Sequence, residues 1–197
     1  MLPTRTEAER ELRLAEEIFP GPWGDHSRNV ARAAEALANA CWLDANKAYL
    51  LGLLHDIGRR TGLSNMRHTI DGYRYLLALG WEEAAVICLT HSYPTRDVHQ
   101  DIGRIDLCDD DLRWMDGFIR AHTFDDYDRL IILCDGLAFA DRLCVLEQRF
   151  VDTSIRYGVF PFTVARWQAT MEIKADFEAR MGRSIYQVLP GVLEALR

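Results

Sequence analysis

No apolar run in this 197-residue chain is long enough to cross a bilayer. The opening segment, Met1–Arg13, is charged and lacks the apolar stretch of a secretion signal, so a cytoplasmic location is expected. No two cysteines stand at C-x-x-C spacing. Cys41, Cys88, Cys108, Cys134 and Cys144 are scattered and odd in number, which argues for reduced, buried thiols rather than a disulfide framework. No block of lysine or arginine occurs, and the net charge is −7. Both facts argue against a nucleic-acid polymer as the main partner. A small anionic substrate is still compatible with that charge if a metal ion supplies local positive charge. Repeats, low-complexity segments and strand-like alternation are also missing. A chain of this length fits one domain and can bury a sizeable core, so one unit over 1–197 is expected.

What the sequence does hold is helical pattern. Thr4 to Ile18 reads as an amphipathic helix with Leu12, Leu14, Ala15 and Ile18 inward, broken by Pro20–Gly24. Asp25 is placed to cap a second helix whose core face is Val30, Ala33, Ala34, Leu37 and Cys41, and His26 extends that face. Asp44 is expected to cap a helix over 45–57, ended by Gly58 and Gly62. Asn65 is the expected cap of 66–79, with His68 in the first turn, Ile70, Tyr73 and Leu77 inward, and Gly80 as the stop. In 82–91, Ala84, Ile87, Cys88 and His91 share one face. Residues 92–108 look irregular and are suited to a site mouth. Helices are expected over 109–121, 127–142, 146–157 and 163–181, with a terminal piece from Ser184. The fold class is all-α, a helical bundle.

Several polar residues break these apolar faces. The run Leu50-Leu51-Gly52-Leu53-Leu54 ends in His55-Asp56, and burying such a pair without partners is costly. His26, His68 and His91 also stand where an apolar residue would serve, although one histidine on a core face is more often a hydrogen-bonded core residue. Asp135 is the hardest to explain structurally. It lies inside the apolar run Leu130–Ala140, and no arginine or lysine stands three or four positions away to pair with it. Together, four imidazoles and two carboxylates form a ligand set suited to two borderline divalent metals. His99 and His122 read as surface groups or as supports for the ligands.

The order His26 … His55-Asp56 … His68 … His91 … Asp135 resembles the HD-domain superfamily of metal-dependent phosphohydrolases. The contexts His-Ser-x-x-Val-Ala at 26–31, Gly-Leu-Leu-His-Asp-Ile-Gly-Arg at 52–59 and His-x-x-x-Gly at 68–72 carry the resemblance, which spans about 22–145. It implies an HD-type helical bundle, with the helices of 146–197 packed on it. It also implies His26, His55, Asp56 and Asp135 as core metal ligands, and His68 and His91 as the added ligands of the dinuclear subgroup, with Asp56 bridging. The implied cofactor is two divalent ions, iron or manganese first, with cobalt, nickel, zinc or magnesium as alternatives. The Gly-Tyr-Pro motif of cyclic-di-GMP phosphodiesterases is absent.

The expected activity is hydrolysis of a phosphoester or phosphoanhydride in a small, nucleotide-like substrate by a metal-activated hydroxide. Asp56 and Arg59 are the expected catalytic residues. Arg59, Arg60, Arg67 and Arg96 are candidate phosphate contacts, Arg59 foremost because the resemblance implies a basic residue at that spacing after the His-Asp pair. Two other readings stay open: a di-iron oxygenase, since some HD-fold enzymes use the same ligand order for oxygen chemistry, and a metal-binding regulatory module without turnover. No membrane partner is expected, and a homodimer is compatible with the sequence.

Overall fold

Thr4 and Glu7 exchange side-chain-to-backbone hydrogen bonds, and this capping box opens α1, Arg5–Ile18. The computed structural model describes residues 1–196. Eight further helices follow among them: α2 Trp23–Ala40, α3 Ala45–Leu54, α4 Arg67–Ala78, α5 Glu82–Thr90, α6 Asp109–Ala121, α7 Asp126–Asp135, α8 Leu146–Tyr157 and α9 Thr163–Met181. Short 3-10 turns lie at Ile57–Thr61, Val98–Gln100, Ile185–Gln187 and Glu194–Leu196. The strand-type pairing described is one isolated antiparallel bridge, Ala138 with Leu143. The fold is all-α. Among the described residues no helix is long and apolar enough to cross a membrane.

The centre of the bundle is the crossing of α2 and α3. A Cβ at Gly52 would come within 2.9 Å of the Ala31 Cα, so glycine lets the two backbones meet. Ala31, Ala34, Leu37 and Ala38 of α2 and Leu50, Leu51, Leu53 and Leu54 of α3 are buried in the main core. The same core takes Leu130–Cys134 of α7 and Ile173 and Phe177 of α9, together with Ile185, Leu189 and Val192 of the C-terminal segment. A second cluster, Met66, Ile70, Leu89, Tyr93, Val98, Met115 and Ile119, joins α4, α5 and α6.

A second close approach sets the site. A Cβ on Gly58 would lie 1.9 Å from the His68 carbonyl oxygen and 2.4 Å from the Gly72 nitrogen. The turn after Asp56 is therefore pressed directly on the first turn of α4. Gly58→Ala is expected to destabilise the protein by about 3 kcal/mol, because the obstacle is backbone that cannot rotate away. Urea denaturation checks this, and an unchanged midpoint would show that the contact is soft.

Several local expectations are corrected. α2 opens at Trp23 behind Pro22, so Asp25 lies in its first turn rather than at the cap. Pro22 sets the backbone there without needing a side-chain cap. α4 follows Met66 with no side-chain cap from Asn65, and the Asp106 carboxylate instead accepts from the backbone N–H groups of Asn65 and Arg67. Leu76 rather than Leu77 faces inward, and Leu14 and Ile18 of α1 are exposed where Ala8 and Leu12 are buried. α3 ends at Leu54, before the His-Asp pair, and α7 ends at Asp135. Gly136 closes α7, and the apolar residues that follow enter the buried bridge segment instead of another helical turn. Cys108 is exposed, unlike the other four cysteines.

Candidate metal centre

Six polar side chains meet where these helix ends converge. His26 comes from the first turn of α2, His55 and Asp56 follow α3, His68 lies in the first turn of α4, His91 caps the end of α5 and Asp135 is the last residue of α7. All the histidines among them and Asp56 are buried.

Three imidazoles are oriented by local backbone. The Nδ1–H of His55 donates to the Gly52 carbonyl at 2.7 Å, that of His91 to the Ile87 carbonyl at 3.1 Å, and that of His68 to the Asn65 carbonyl. A carbonyl oxygen only accepts, so the ring proton must sit on Nδ1. In the neutral form each ring then presents an unprotonated Nε2 to the centre. His68 Nε2 lies 3.1 Å and His91 Nε2 3.7 Å from Asp56 Oδ1, and the two Nε2 atoms are 3.4 Å apart. The other carboxylate oxygen, Asp56 Oδ2, stands 3.8 Å from His55 Nε2 and accepts from Arg59 Nε at 2.6 Å. His26 Nε2 is 2.9 Å from Asp135 Oδ1, and the His26 and His55 rings meet edge-on at 5.4 Å.

Electrostatics favour lone-pair donors here. Burial, reinforced by the neighbouring His55, pushes His91 down to about 3, and burial also lowers His55. Burial would raise Asp56, but Arg59, His55 and His68 outweigh it and hold the carboxyl well below the usual carboxylate range. Asp135 behaves likewise. Burial opposes its ionisation, and the His26 hydrogen bond with the charges of His26, His55 and Arg149 overcomes it. Burial thus disfavours the cationic form of His55 and His91, while Asp56 and Asp135 are held toward their ionised form.

A cation fits this arrangement. His55 Nε2 and Asp56 Oδ1 are buried without a hydrogen-bond partner, a costly state for two acceptors. The groups His26–His55–Asp135 and His55–Asp56–His91 each bring their ligand atoms within 4.8 Å of one another. Asp56 turns one oxygen toward His68 and His91 and the other toward His55. The centre opens on a cavity of about 630 Å³.

The HD domain family model matches residues 23–143. This chain belongs to the HD-domain family. The matched segment contains every residue of the His–Asp cluster. Neither the curated proteins nor the solved structures give a match to it. HD domains bind divalent metals, and the donor set of this HD centre agrees with that.

The HD cavity is bounded by more than the matched segment. Ser92, Pro94 and Asp101–Gly103 line it, as expected of the irregular 92–108 stretch. Arg59 lines it too. Arg60, Arg67 and Arg96 do not: Arg60 lies over the Tyr75 ring, Arg67 stands 3.5 Å from Asp71, and Arg96 donates to the His122 carbonyl. Arg149, Arg156 and Arg166 line the cavity instead. They come from α8 and α9, where the sequence offered only amphipathic helix and no motif. The one available signal was Arg149 and Arg156 seven positions apart on one helical face. His122 supports the centre from outside, bonding Asp128 at 2.9 Å, while Asp128 accepts from Thr90 at 2.7 Å beside His91. His99 is exposed.

Proposed function

We propose that this HD protein is a metal-dependent phosphohydrolase acting on a phosphoester or phosphoanhydride of a small, nucleotide-like metabolite. The observation that carries the reading is one cavity wall on which Asp56, its Oδ1 buried and partnerless, stands beside the Arg59 guanidinium, with the partnerless His55 Nε2 3.8 Å from the same carboxylate. His26, His55, Asp56, His68, His91 and Asp135 are the residues that would hold two divalent ions, with iron or manganese suited to such a mixed imidazole–carboxylate set. The chemistry such ions supply when bound is Lewis acidity and the activation of water near neutral pH.

The chain's own residues do the rest. Backbone carbonyls fix the rings of His55, His68 and His91, so their Nε2 atoms need no reorientation. Arg59 spends its Nε on Asp56 and keeps its terminal nitrogens for phosphoryl oxygens. That contact ties substrate charge to the carboxylate that orders the cluster. Trp23 and Phe139 supply apolar surface to the cavity wall.

Screening the purified protein against phosphorylated metabolites with manganese, iron, cobalt and magnesium, reading phosphate release, tests the assignment. No release with any ion would overturn it. Metal content is a second test. Elemental analysis is expected to give about two ions per chain after reconstitution, falling to about one in His68→Ala and in His91→Ala. A single ion at saturation, unchanged by either substitution, would remove the dinuclear reading.

A further inference from the structure

The HD match stops at residue 143, but the cavity continues along α8 and α9. α8 buries only Leu146 of its twelve residues, so core packing does not account for its other side chains. Val151 and Ile155 are turned outward, 57% and 80% exposed. The side facing the cavity carries Arg149, Asp152, Thr153, Arg156 and Tyr157.

The charges on that side form a ladder leading out of the centre. Arg149 stands 4.0 Å from Asp135 and 3.5 Å from Asp152, and Arg156 bonds Asp152 at 2.6 Å. Asp152 serves both guanidiniums, so α8 itself offers two cations to one carboxylate, and Asp135 of the centre is the second carboxylate beside Arg149. The two arginines are about 10 Å apart along the helix backbone, but both reach the same oxygen, Asp152 Oδ2, so their guanidinium heads form one continuous cationic strip. Phe150 of α8 stacks on Trp167 of α9 at 5.2 Å, which ties the two helices into one wall. Arg166 of α9 lines the same cavity, half-buried, with only the carbonyls of Ser92 and Gln100 as partners. Burial lowers its pKa against the opposing charge of Asp101.

We propose that the α8 wall is a second phosphate subsite. The substrate would carry, besides the phosphoryl group at the His–Asp cluster, another phosphoryl group further out along the α8 wall, taken by Arg156 with Arg149 between the two. A bisphosphorylated or oligophosphorylated metabolite meets that description, and a simple monophosphate does not. The inference rests on the phosphohydrolase reading for the group at the centre.

Non-hydrolysable probes separate the two ideas. Linear alkane α,ω-bisphosphonates of increasing length, with methylphosphonate as the single-anion reference, are titrated calorimetrically into the metal-loaded protein. Affinity is expected to rise roughly tenfold once the ends can span the ladder. Arg156→Gln is expected to remove that gain. The side chain is 44% exposed, so the variant keeps its fold, which a thermal melt confirms. An α,ω-phosphonocarboxylate of the same length should gain less, and equal gain would overturn the phosphoryl assignment. A flat series, or a gain that survives both Arg156→Gln and Arg149→Gln, would overturn the subsite. Binding that follows the expected pattern in a protein that turns over no phosphoester would leave the subsite standing and remove the hydrolase reading. Turnover with a flat series would do the reverse.

Discussion

Asp135→Asn is expected to abolish phosphate release and to lower metal affinity by at least about a hundredfold, the upper range for losing a mere supporting contact to a ligand. The substitution keeps the size and one carbonyl oxygen of the side chain. What it removes is the negative charge. In the protein that charge is held against burial by His26 at 2.9 Å and by Arg149 at 4.0 Å. A structural hydrogen bond to His26 survives in the amide, since its oxygen still accepts. A ligand does not survive equally, because a neutral amide offsets little of a divalent cation's charge. Metal content by elemental analysis and phosphate release on the same preparation measure the two effects together. Full metal and full activity in the variant would make Asp135 a polar group that serves the fold alone. Asp56→Ala is expected to be as severe, since both its oxygens face histidines.

Much of this architecture is legible from residue order because helix ends carry local chemistry. Asp44 caps α3 by accepting from Lys47, as the sequence indicates, and α6, α8 and α9 begin and end where periodicity places them. The cluster is legible for a related reason. A histidine or aspartate on an apolar helical face is expensive to bury, so residue order alone makes each one a sign of a partner. Choices between neighbouring residues are less legible. Leu76 and Leu77 have the same hydrophobicity, so composition does not choose between them, and α4 turns Leu76 inward. The end of α7 was hidden because the apolar run continues past Gly136 into a segment that is buried but not helical. The arginines of the cavity were hidden most of all. Arg60 and Arg67 lie beside cluster residues in sequence, whereas Arg149 and Arg166 reach the cavity from helices that pack back on it. Adjacency in the chain does not report which way a long side chain turns. Arg60 turns to the Tyr75 ring.

Protein reconstituted with manganese or cobalt and kept anaerobic is expected to release phosphate, or a nucleoside monophosphate, from a nucleotide-like substrate. The experiment decides between hydrolase and oxygenase, which the ligand set cannot do, because both chemistries need open positions on a dinuclear centre. They differ in what the ions must do. Hydrolysis needs Lewis acidity and activated water, which redox-stable ions supply. Oxygenation needs iron that changes valence, together with molecular oxygen. The walls of the cavity bear on the choice as well. Arg59, Arg149, Arg156 and Arg166 all line it, and four guanidiniums suit an anionic phosphoryl substrate better than a neutral polyol. Arg59→Ala is therefore expected to lower kcat/KM by roughly ten- to a hundredfold, the loss of one charge-assisted contact worth about 1.5–3 kcal/mol. A chelator should stop turnover completely, and added manganese should restore it. Turnover that appears only with iron, and that consumes oxygen in proportion to product, would sink the hydrolase assignment. The same arginines would then have to be explained by a phosphonate or another anion presented for oxidation.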